Sequence, residues 1–251
     1  MKILIKNVEI VTMDPMDNHY TSGAILINGD TIEYVGLEQN LPSDIAADSN
    51  NHNGTVKVID GRGMLALPGF VNAHTHSAMT IFRGYADNLP LWEWLTTRIW
   101  PLEDKLKSGH AYWLSMLAAA EMISSGVTTF SDMYMFMTDT AKAVEDSGMR
   151  AVLARGLTGP DAQTDQRHKE VDELAQWQYR AEGRISMMIS PHSVYTCTPE
   201  YLKTCRELAE RYHTGIHIHM SETSKEVADC VKDYSKTPVG HLYNLGILEL
   251  P

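Results

Sequence analysis

The chain has 251 residues, of which 43% are hydrophobic and 21% charged, and its formal net charge at pH 7 is −11. This balance is typical of a globular protein rather than a disordered one, and the acidic charge argues against a nucleic-acid partner. No apolar run approaches the roughly 18 residues that a membrane helix needs, and the N-terminus lacks the pattern of a signal peptide. We therefore expect no membrane partner. The three cysteines are odd in number and form no C-x-x-C pair, which argues against a disulfide framework, so we expect a cytoplasmic protein.

Residues 1–62 carry the pattern of a small β-sheet. Hydrophobic and polar residues alternate over positions 3–10, and Asn28-Gly29-Asp30 is a hairpin signal between two further strands. Residues 38–55 are polar and are predicted to form a loop.

From residue 63 onward, short apolar runs alternate with helical patterns, which is typical of a parallel α/β sheet. Five strands are predicted, at 65–71, 127–133, 150–157, 185–191 and 214–220. Capping patterns predict helix starts at Ser108, Thr198-Pro199, Thr223 with Glu226, and Thr237-Pro238. The sequence is therefore divided into an N-terminal β domain, residues 1–62, and an α/β domain, residues 63–251.

Two histidines end the first predicted strand of the α/β domain, in the run Phe70-Val71-Asn72-Ala73-His74-Thr75-His76. Because side chains two residues apart in a strand lie on the same face, His74 and His76 can converge on one point, as metal ligands do. Active sites of parallel barrels lie at the carboxyl ends of the strands, which is where this pair falls. The alternative is a pair of ordinary polar histidines in a loop.

A second histidine motif, His217-Ile218-His219-Met220-Ser221-Glu222, ends the fifth predicted strand. His219 can supply a third nitrogen ligand, and Glu222 can hold a proton near the metal. His217 lies one layer deeper and is interpreted as a buried, hydrogen-bonded residue. His192 follows the fourth predicted strand and is interpreted as a substrate contact. Two histidine-bearing strand ends in one sheet favour a metal site.

The chain resembles the amidohydrolase superfamily in five motifs, PGFVNAHTH, HSAMTIFRGYADNLPLWEWL, WPLED, PHSVYTCTPE and HIHMSET. More narrowly, it is similar to the branch that deaminates 5-methylthioadenosine and S-adenosylhomocysteine and that also holds the triazine chlorohydrolases. The resemblance implies an α/β fold, a (β/α)8 barrel present as about its first five βα units, with part of a small N-terminal β-sandwich. It also implies a hydrolytic deaminase with one divalent metal ion, Zn²⁺ in the first place and Fe²⁺ as the alternative.

The resemblance assigns roles at the metal and the proton-transfer site. The metal ligands are His74, His76 and His219. Glu222 corresponds to the glutamate that passes a proton to the ring nitrogen of the substrate.

The resemblance also assigns substrate-binding roles. Glu103 and His192 correspond to ribose contacts, and Arg155 and Arg167 to arginines on the substrate side. The alternative for Glu103 is a solvated acid at a helix start, and for the arginines a surface ion pair. Three tryptophans either wall the pocket or pack a loop: Trp92, Trp94 and Trp100.

Two residues of the family pattern have no counterpart here, a histidine after strand six and an aspartate after strand eight. His241 is no substitute, because it is predicted to face solvent from the last helix. A complete barrel takes about 250 residues, so we expect the N-terminal part of a longer enzyme, inactive as a fragment.

Two other functions stay open. One is an amino- or chlorohydrolase of triazine or pyrimidine rings, and the other is a non-catalytic partial barrel that binds a metal or a nucleoside. The expected partner is a small-molecule nucleoside, and a homo-oligomer of the full-length enzyme is left open.

Overall fold

The structure, a computed structural model, describes residues 2–49 and 55–249 and forms two compact units, Met1–Gly69 and Phe70–Pro251. The N-terminal unit includes residues 63–69, which the sequence pattern assigned to the α/β domain. The reason is that residues 65 and 66 pair with the first strand of the chain and not with the α/β sheet. No helix in the described ranges has both the length and the apolar character that crossing a bilayer demands.

The N-terminal unit is built on a five-stranded sheet in the order β3-β2-β1-β4, with β5 also paired to β1. Its strands are β1 (Lys2–Val11), β2 (His19–Asn28), β3 (Thr31–Leu37), β4 (Val56–Asp60) and β5 (Leu65–Ala66). The hairpin prediction is confirmed, because Asn28 pairs with Thr31 across a turn in which Gly29 has a φ of 63°.

The polar stretch predicted as a loop contains a helix, α1 (Ser43–Ser49). Its one buried residue, Ile45, packs with Leu4 and Leu26 in the small core of this unit. Asp48, near the end of this helix, accepts the backbone N–H groups of Thr55 and Val56, both at 2.9 Å. A single apolar anchor was too weak a pattern to predict the helix. Residues 50–54, which include His52, lie outside the described residues.

The second unit contains the predicted parallel α/β sheet, which is confirmed. Its order is β10-β8-β7-β6, with β9 also paired to β8. The strands are β6 (Phe70–Thr75), β7 (Val127–Tyr134), β8 (Arg150–Leu157), β9 (Ile185–Met187) and β10 (Ser190–Pro191). Apart from a distorted helical turn at Arg180–Gly183, the α-helices are α2 (Leu91–Trp94), α3 (Trp100–Glu103), α4 (His110–Ser124), α5 (Met137–Ser147), α6 (Thr164–Ala175), α7 (Pro199–Tyr212), α8 (Ser224–Tyr234) and α9 (Pro238–Asn244).

The first and the last two predicted strands differ from the structure. Residues 65–71 divide between β5 (Leu65–Ala66) of the N-terminal unit and the start of β6 at Phe70. Residues 185–191 form two short strands, and residues 214–220 pair with their neighbours only through isolated bridges. These bridges join Ile189 to Ile216 and Ser193 to His219. The offset between partners changes by one residue from the first bridge to the second, so no continuous ladder forms. We call residues 214–220 the bridged segment.

Three of the four predicted helix starts are confirmed. The hydroxyls of Thr198, Thr223 and Thr237 each accept a backbone N–H from the first turn of the helix that follows. The prediction at Ser108 is wrong, because α4 begins after Gly109. This glycine has a φ of 91°, a left-handed conformation that only glycine adopts without strain.

The prediction that His241 faces solvent is wrong. This residue of α9 is only 7% exposed, and its ring stacks on Tyr234 with the centroids 4.0 Å apart. The reason is that α9 packs against α8, which carries Tyr234. Burial lowers the pKa of the His241 imidazole.

The core of the second unit gives a stability prediction. Leu153 lies on β8, inside the sheet, and is 0% exposed. We expect Leu153→Ala to lower the free energy of unfolding by about 2–5 kcal/mol, because the surrounding core cannot fully close the cavity. Urea denaturation measures this change. The control Leu117→Ala removes a half-exposed side chain of α4 and is expected to cost less than about 0.5 kcal/mol; equal losses in the two variants would contradict the assignment.

Candidate active site

Three histidines converge at the carboxyl end of the parallel sheet. His74 is the second-last residue of β6, His76 follows that strand, and His219 lies in the bridged segment. One ligand atom from each lies within 4.8 Å of the other two. The ring centroids are 4.9 to 5.3 Å apart. The three imidazoles can therefore direct nitrogen atoms toward one point, the arrangement that a bound cation requires.

The orientation of the His76 ring is fixed by the neighbouring strand. Its Nδ1 lies 2.6 Å from the carbonyl oxygen of Met133, on β7. A carbonyl oxygen only accepts, so Nδ1 carries the hydrogen and donates it. Nε2 then keeps its lone pair, and a metal-binding histidine usually has this pattern of one nitrogen on the metal and the other on a carbonyl.

The charge state of His219 also suits a metal ligand. The residue is 8% exposed. Burial, together with the histidines around it, lowers the pKa of His219 to about 3. Its ring is therefore neutral at pH 7 and has a lone pair to offer, as metal binding requires. Three imidazole nitrogens form the ligand set of many zinc enzymes, so the residues present fit a divalent ion.

Glu222 is held on a tight turn that follows His219. Ser221, between them, has a φ of 59°, in the left-handed region. The turn is fixed by Glu226 of α8, which is 4% exposed and accepts the backbone N–H groups of Ser221 at 2.9 Å and Glu222 at 2.8 Å. The Glu226 side chain thus goes to residues 221 and 222, and not back to the N–H of Thr223 as in a capping box. The Glu222 side chain is exposed and lines the cavity beside the histidines.

Loss of the Glu226 carboxylate is expected to destabilise the protein. Glu226→Ala leaves two backbone N–H groups of the turn without their acceptor, and we expect the free energy of unfolding to fall by about 1–3 kcal/mol. Thermal or urea unfolding measures the change. Glu207→Ala on α7 is the matched control, because this glutamate is exposed, and it should be near neutral. Equal stability of the Glu226 variant and the wild type would contradict the role.

All eight site residues predicted from the sequence line one cavity of about 1020 Å³. They are His74, His76, Glu103, Arg155, Arg167, His192, His219 and Glu222. The parallel sheet explains this convergence, because the carboxyl ends of its strands, with the loops that follow them, meet at one edge.

Glu103 reaches the cavity from α3, in the long connection after β6. The Tyr134 hydroxyl donates to its Oε1 over 2.6 Å. Burial raises the pKa of the Glu103 carboxyl, although this hydrogen bond opposes the shift. Because a carboxylate accepts only, the remaining lone pairs of Glu103 can receive hydroxyl donors from the cavity.

The two arginines line the cavity and are also ion-paired. Arg155 donates from Nε to Glu170, and Arg167 donates from Nη1 to Asp161 and to the carbonyl oxygen of Thr158, both over 2.8 Å. Both arginine side chains are largely buried, whereas the partner carboxylate of Asp161 is 46% exposed, so the ion pairs considered as the alternative are present beside the cavity. The arginines bring positive charge to the cavity that is already balanced by carboxylates.

His192 lies beside His219 of the histidine triad and beside Tyr195. Its ring centroid is 5.0 Å from that of His219 and 5.8 Å from that of Tyr195. Burial lowers the pKa of His192 to about 4, so its ring is neutral at pH 7. Trp92 packs edge-on against Trp100, and it is Trp100, together with Trp94, that lines the cavity.

His217 does not join the histidine group. Its ring is partly buried, and Nδ1 lies 3.4 Å from the Ser131 hydroxyl. Burial lowers the pKa of this imidazole.

Sequence reasoning missed three polar residues near the histidines: Tyr134 and Tyr195, which line the cavity, and the buried Asp132. The signal for Asp132 was present, because a charged residue in the run Phe130-Ser131-Asp132-Met133 interrupts an otherwise buried strand end. Tyr134 and Tyr195 carried no such signal, since tyrosine is common at the ends of strands and in loops.

Residues 65–250 match the amidohydrolase family. The chain is 46% identical over 250 residues to a protein of Syntrophomonas wolfei named 5-methylthioadenosine/S-adenosylhomocysteine deaminase, covering 99% of this chain and 56% of that protein. A protein of the same name from Caldanaerobacter subterraneus is 45% identical over 254 residues, covering 100% of this chain and 56% of its own length. The chain thus spans about half the length of the curated relatives it matches.

A solved structure of an adenosine deaminase from Xanthomonas campestris with bound zinc superposes with a TM-score of 0.82 at 28% identity. The match covers 98% of this chain and 55% of that one. An atrazine chlorohydrolase from Arthrobacter aurescens complexed with zinc has a TM-score of 0.80 at 22% identity, covering 98% of this chain and 58% of that one, and this likeness shows the fold alone. With the match over residues 65–250, these similarities show that the chain belongs to the amidohydrolase family.

Proposed function

We propose that the natural polypeptide carrying this chain is a metal-dependent hydrolytic deaminase of adenine nucleosides. Its substrate is 5-methylthioadenosine or S-adenosylhomocysteine, and its products include ammonia. The observation that carries the proposal is one cavity that combines a histidine triad, the exposed carboxylate of Glu222 and the partly buried carboxylate of Glu103. The names of the relatives that are 45–46% identical support the same substrate class.

The architecture is proposed to be the first part of an amidohydrolase barrel. In this proposal β6 to β10 and the bridged segment supply about the first five βα units of a (β/α)8 barrel, residues 63–251. Residues 1–62 supply part of a small β-sandwich. Both zinc-bearing solved structures support it, since each superposes on 98% of the chain.

The proposed metal ligands are His74, His76 and His219, and the proposed ion is Zn²⁺, with Fe²⁺ as the alternative. A divalent ion at this position would supply the Lewis acidity that makes water a nucleophile near neutral pH. The neutral state of His219 and the Nδ1–H donation of His76 support this ligand set.

Glu222 is the proposed proton carrier. Hydrolysis at an aminated ring carbon joins the oxygen of water to that carbon and gives one proton to the adjacent ring nitrogen. The amino nitrogen then receives another proton, and the C–N bond breaks to release ammonia and leave a ring carbonyl. Glu222 is suited to this task because its backbone is held by Glu226 while its exposed side chain lines the cavity.

The proposed substrate contacts are Glu103 and His192 on the ribose, with Arg155 and Arg167 farther along the cavity. A carboxylate can accept both hydroxyls of a diol, and Tyr134 holds Glu103 in one position for that purpose. This part of the proposal favours a nucleoside over a triazine, which has no diol.

We place the protein in the cytoplasm, with a small molecule as its partner and homo-oligomer formation open. The three cysteines support a reducing compartment, because each is free and buried.

Ammonia release tests the proposed function. The zinc-loaded natural polypeptide, at the length its gene encodes, is assayed with 5-methylthioadenosine and with a chlorotriazine. We expect ammonia from the nucleoside at a higher kcat/KM than chloride from the triazine. The reverse order would favour the chlorohydrolase alternative. Zinc binding without turnover of either compound would favour a non-catalytic binding protein. The 251-residue chain assayed beside it is expected to show little turnover.

A further inference from the structure

Asp132 is a fully buried acid that bonds to the residues on both sides of His76. It lies on β7, is 0% exposed, and pairs in register with Thr75 on β6. A buried carboxylate is costly unless its oxygens receive hydrogen bonds, so its partners indicate its purpose.

The partners of Asp132 come from the loop that carries His76. Oδ1 accepts the backbone N–H of Ser77 over 2.7 Å, and Oδ2 accepts the Ser77 hydroxyl over 2.8 Å. The Thr75 hydroxyl lies 2.8 Å from Oδ1 and can donate to it or to the carbonyl of Ser131. Asp132 therefore holds the residue before His76 and the residue after it.

The next residue of β7 holds His76 itself, because the Met133 carbonyl accepts from Nδ1 of its ring. Three consecutive residues, 75, 76 and 77, are thus fixed by two consecutive residues of a neighbouring strand. This register leaves the His76 ring little freedom in position and lets only Nε2 point away from the strand. Hydroxyl packing extends behind the loop, since Ser77 Oγ lies 2.9 Å from Ser115 Oγ on α4.

We propose that Asp132, acting through Ser77 and Thr75, is a positioning residue for the metal centre that sets the geometry of His76. It does not touch the ion or the substrate. The inference rests on the metal-dependent function proposed above.

Metal affinity of the folded chain tests this inference without any activity assay. Zn²⁺ affinity is measured by competition with a chromophoric chelator, and the Co²⁺ absorption spectrum reports the ligand geometry. We expect Asp132→Asn to weaken zinc binding by about 10–100-fold, the usual effect of losing a partner outside the ligand shell, and to change the Co²⁺ spectrum. Ser77→Ala removes one hydroxyl, and a several-fold loss in the same direction is expected.

Leu153→Ala is the matched control, because it destabilises the same sheet at the position that pairs in register with Asp132, while the Asp132 carboxylate and its bonds to Ser77 stay in place. It should keep the wild-type zinc affinity and Co²⁺ spectrum. Wild-type affinity in both the Asp132 and the Ser77 variants, or an equal loss in the Leu153 variant, would overturn the positioning role. If Asp132→Asn does not fold, the Ser77 variant decides. Failure of the wild type to bind zinc would overturn the metal centre and this inference together, whereas lack of ammonia release by a zinc-binding wild type would overturn only the proposed reaction.

Discussion

His219→Ala is expected to abolish tight zinc binding. The substitution removes one of the three nitrogen ligands and leaves His74 and His76, which are close in sequence and form only part of a coordination shell. The loss of zinc affinity should exceed about 100-fold, which is the upper end of the effect of removing a residue that only hydrogen-bonds to a metal ligand. We expect the variant to keep the fold, because backbone hydrogen bonds attach the bridged segment to its neighbours. One of them, from the N–H of residue 219 to the carbonyl oxygen of His192 over 2.9 Å, does not depend on the side chain.

The control for this prediction is His19→Ala. His19 is an exposed histidine on β2 of the N-terminal unit and is paired with Glu9. Both variants are titrated with Zn²⁺ against a chromophoric chelator, and circular dichroism confirms that each is folded. Wild-type affinity in the His219 variant, or an equal loss in the His19 variant, would exclude the triad as the metal centre.

Glu222→Gln is expected to lower the turnover of the natural polypeptide by about 10²–10⁴-fold, the range for loss of a general acid or base. The amide keeps the size of the side chain but cannot pass a proton. Zinc affinity and stability should stay unchanged, because Glu222 is exposed and its backbone N–H still bonds to Glu226. The fall should appear in kcat and not in KM, since the binding contacts of the cavity remain.

Steady-state ammonia release at full zinc occupancy measures this effect. Glu207→Gln, on the exposed face of α7, controls for loss of one negative charge and should keep wild-type turnover. If Glu222→Gln turned over at the wild-type rate with zinc bound, another group would have to carry the proton.

The sequence could predict the site because its main features follow from local rules. A period of two places His74 and His76 on one face, and parallel strands bring their carboxyl ends to one edge. His219, far away in the chain, therefore joins the pair. Helix starts at Thr198 and Thr223 were also predictable, because capping depends on a few neighbouring residues.

What could not be predicted depends on contacts between distant segments. From the sequence, the Glu226 carboxylate could accept the N–H of Thr223 in a capping box or the N–H groups of the turn at residues 221 and 222. The path of the chain before the helix decides which of these it accepts. The burial of His241 depends on how two helices pack. The register of β6 on β7, which includes an irregularity between Asn72 and Thr75, likewise cannot be seen in either strand alone.

The bridged segment has a consequence for how metal and folding are linked. His76 and His219 meet only when the sheet has assembled from β6 as far as this segment, so the unfolded chain contains the pairs His74 with His76 and His217 with His219 but not the assembled triad. An ion that binds the folded state alone adds stability by mass action, about 2.7 kcal/mol at a free concentration 100 times its Kd. With the proposed ion bound, the bridged segment, which is held by isolated backbone bridges, would also be linked through the ion to the end of β6. The supply of metal would then influence how much of the chain is folded as well as how much of it is active.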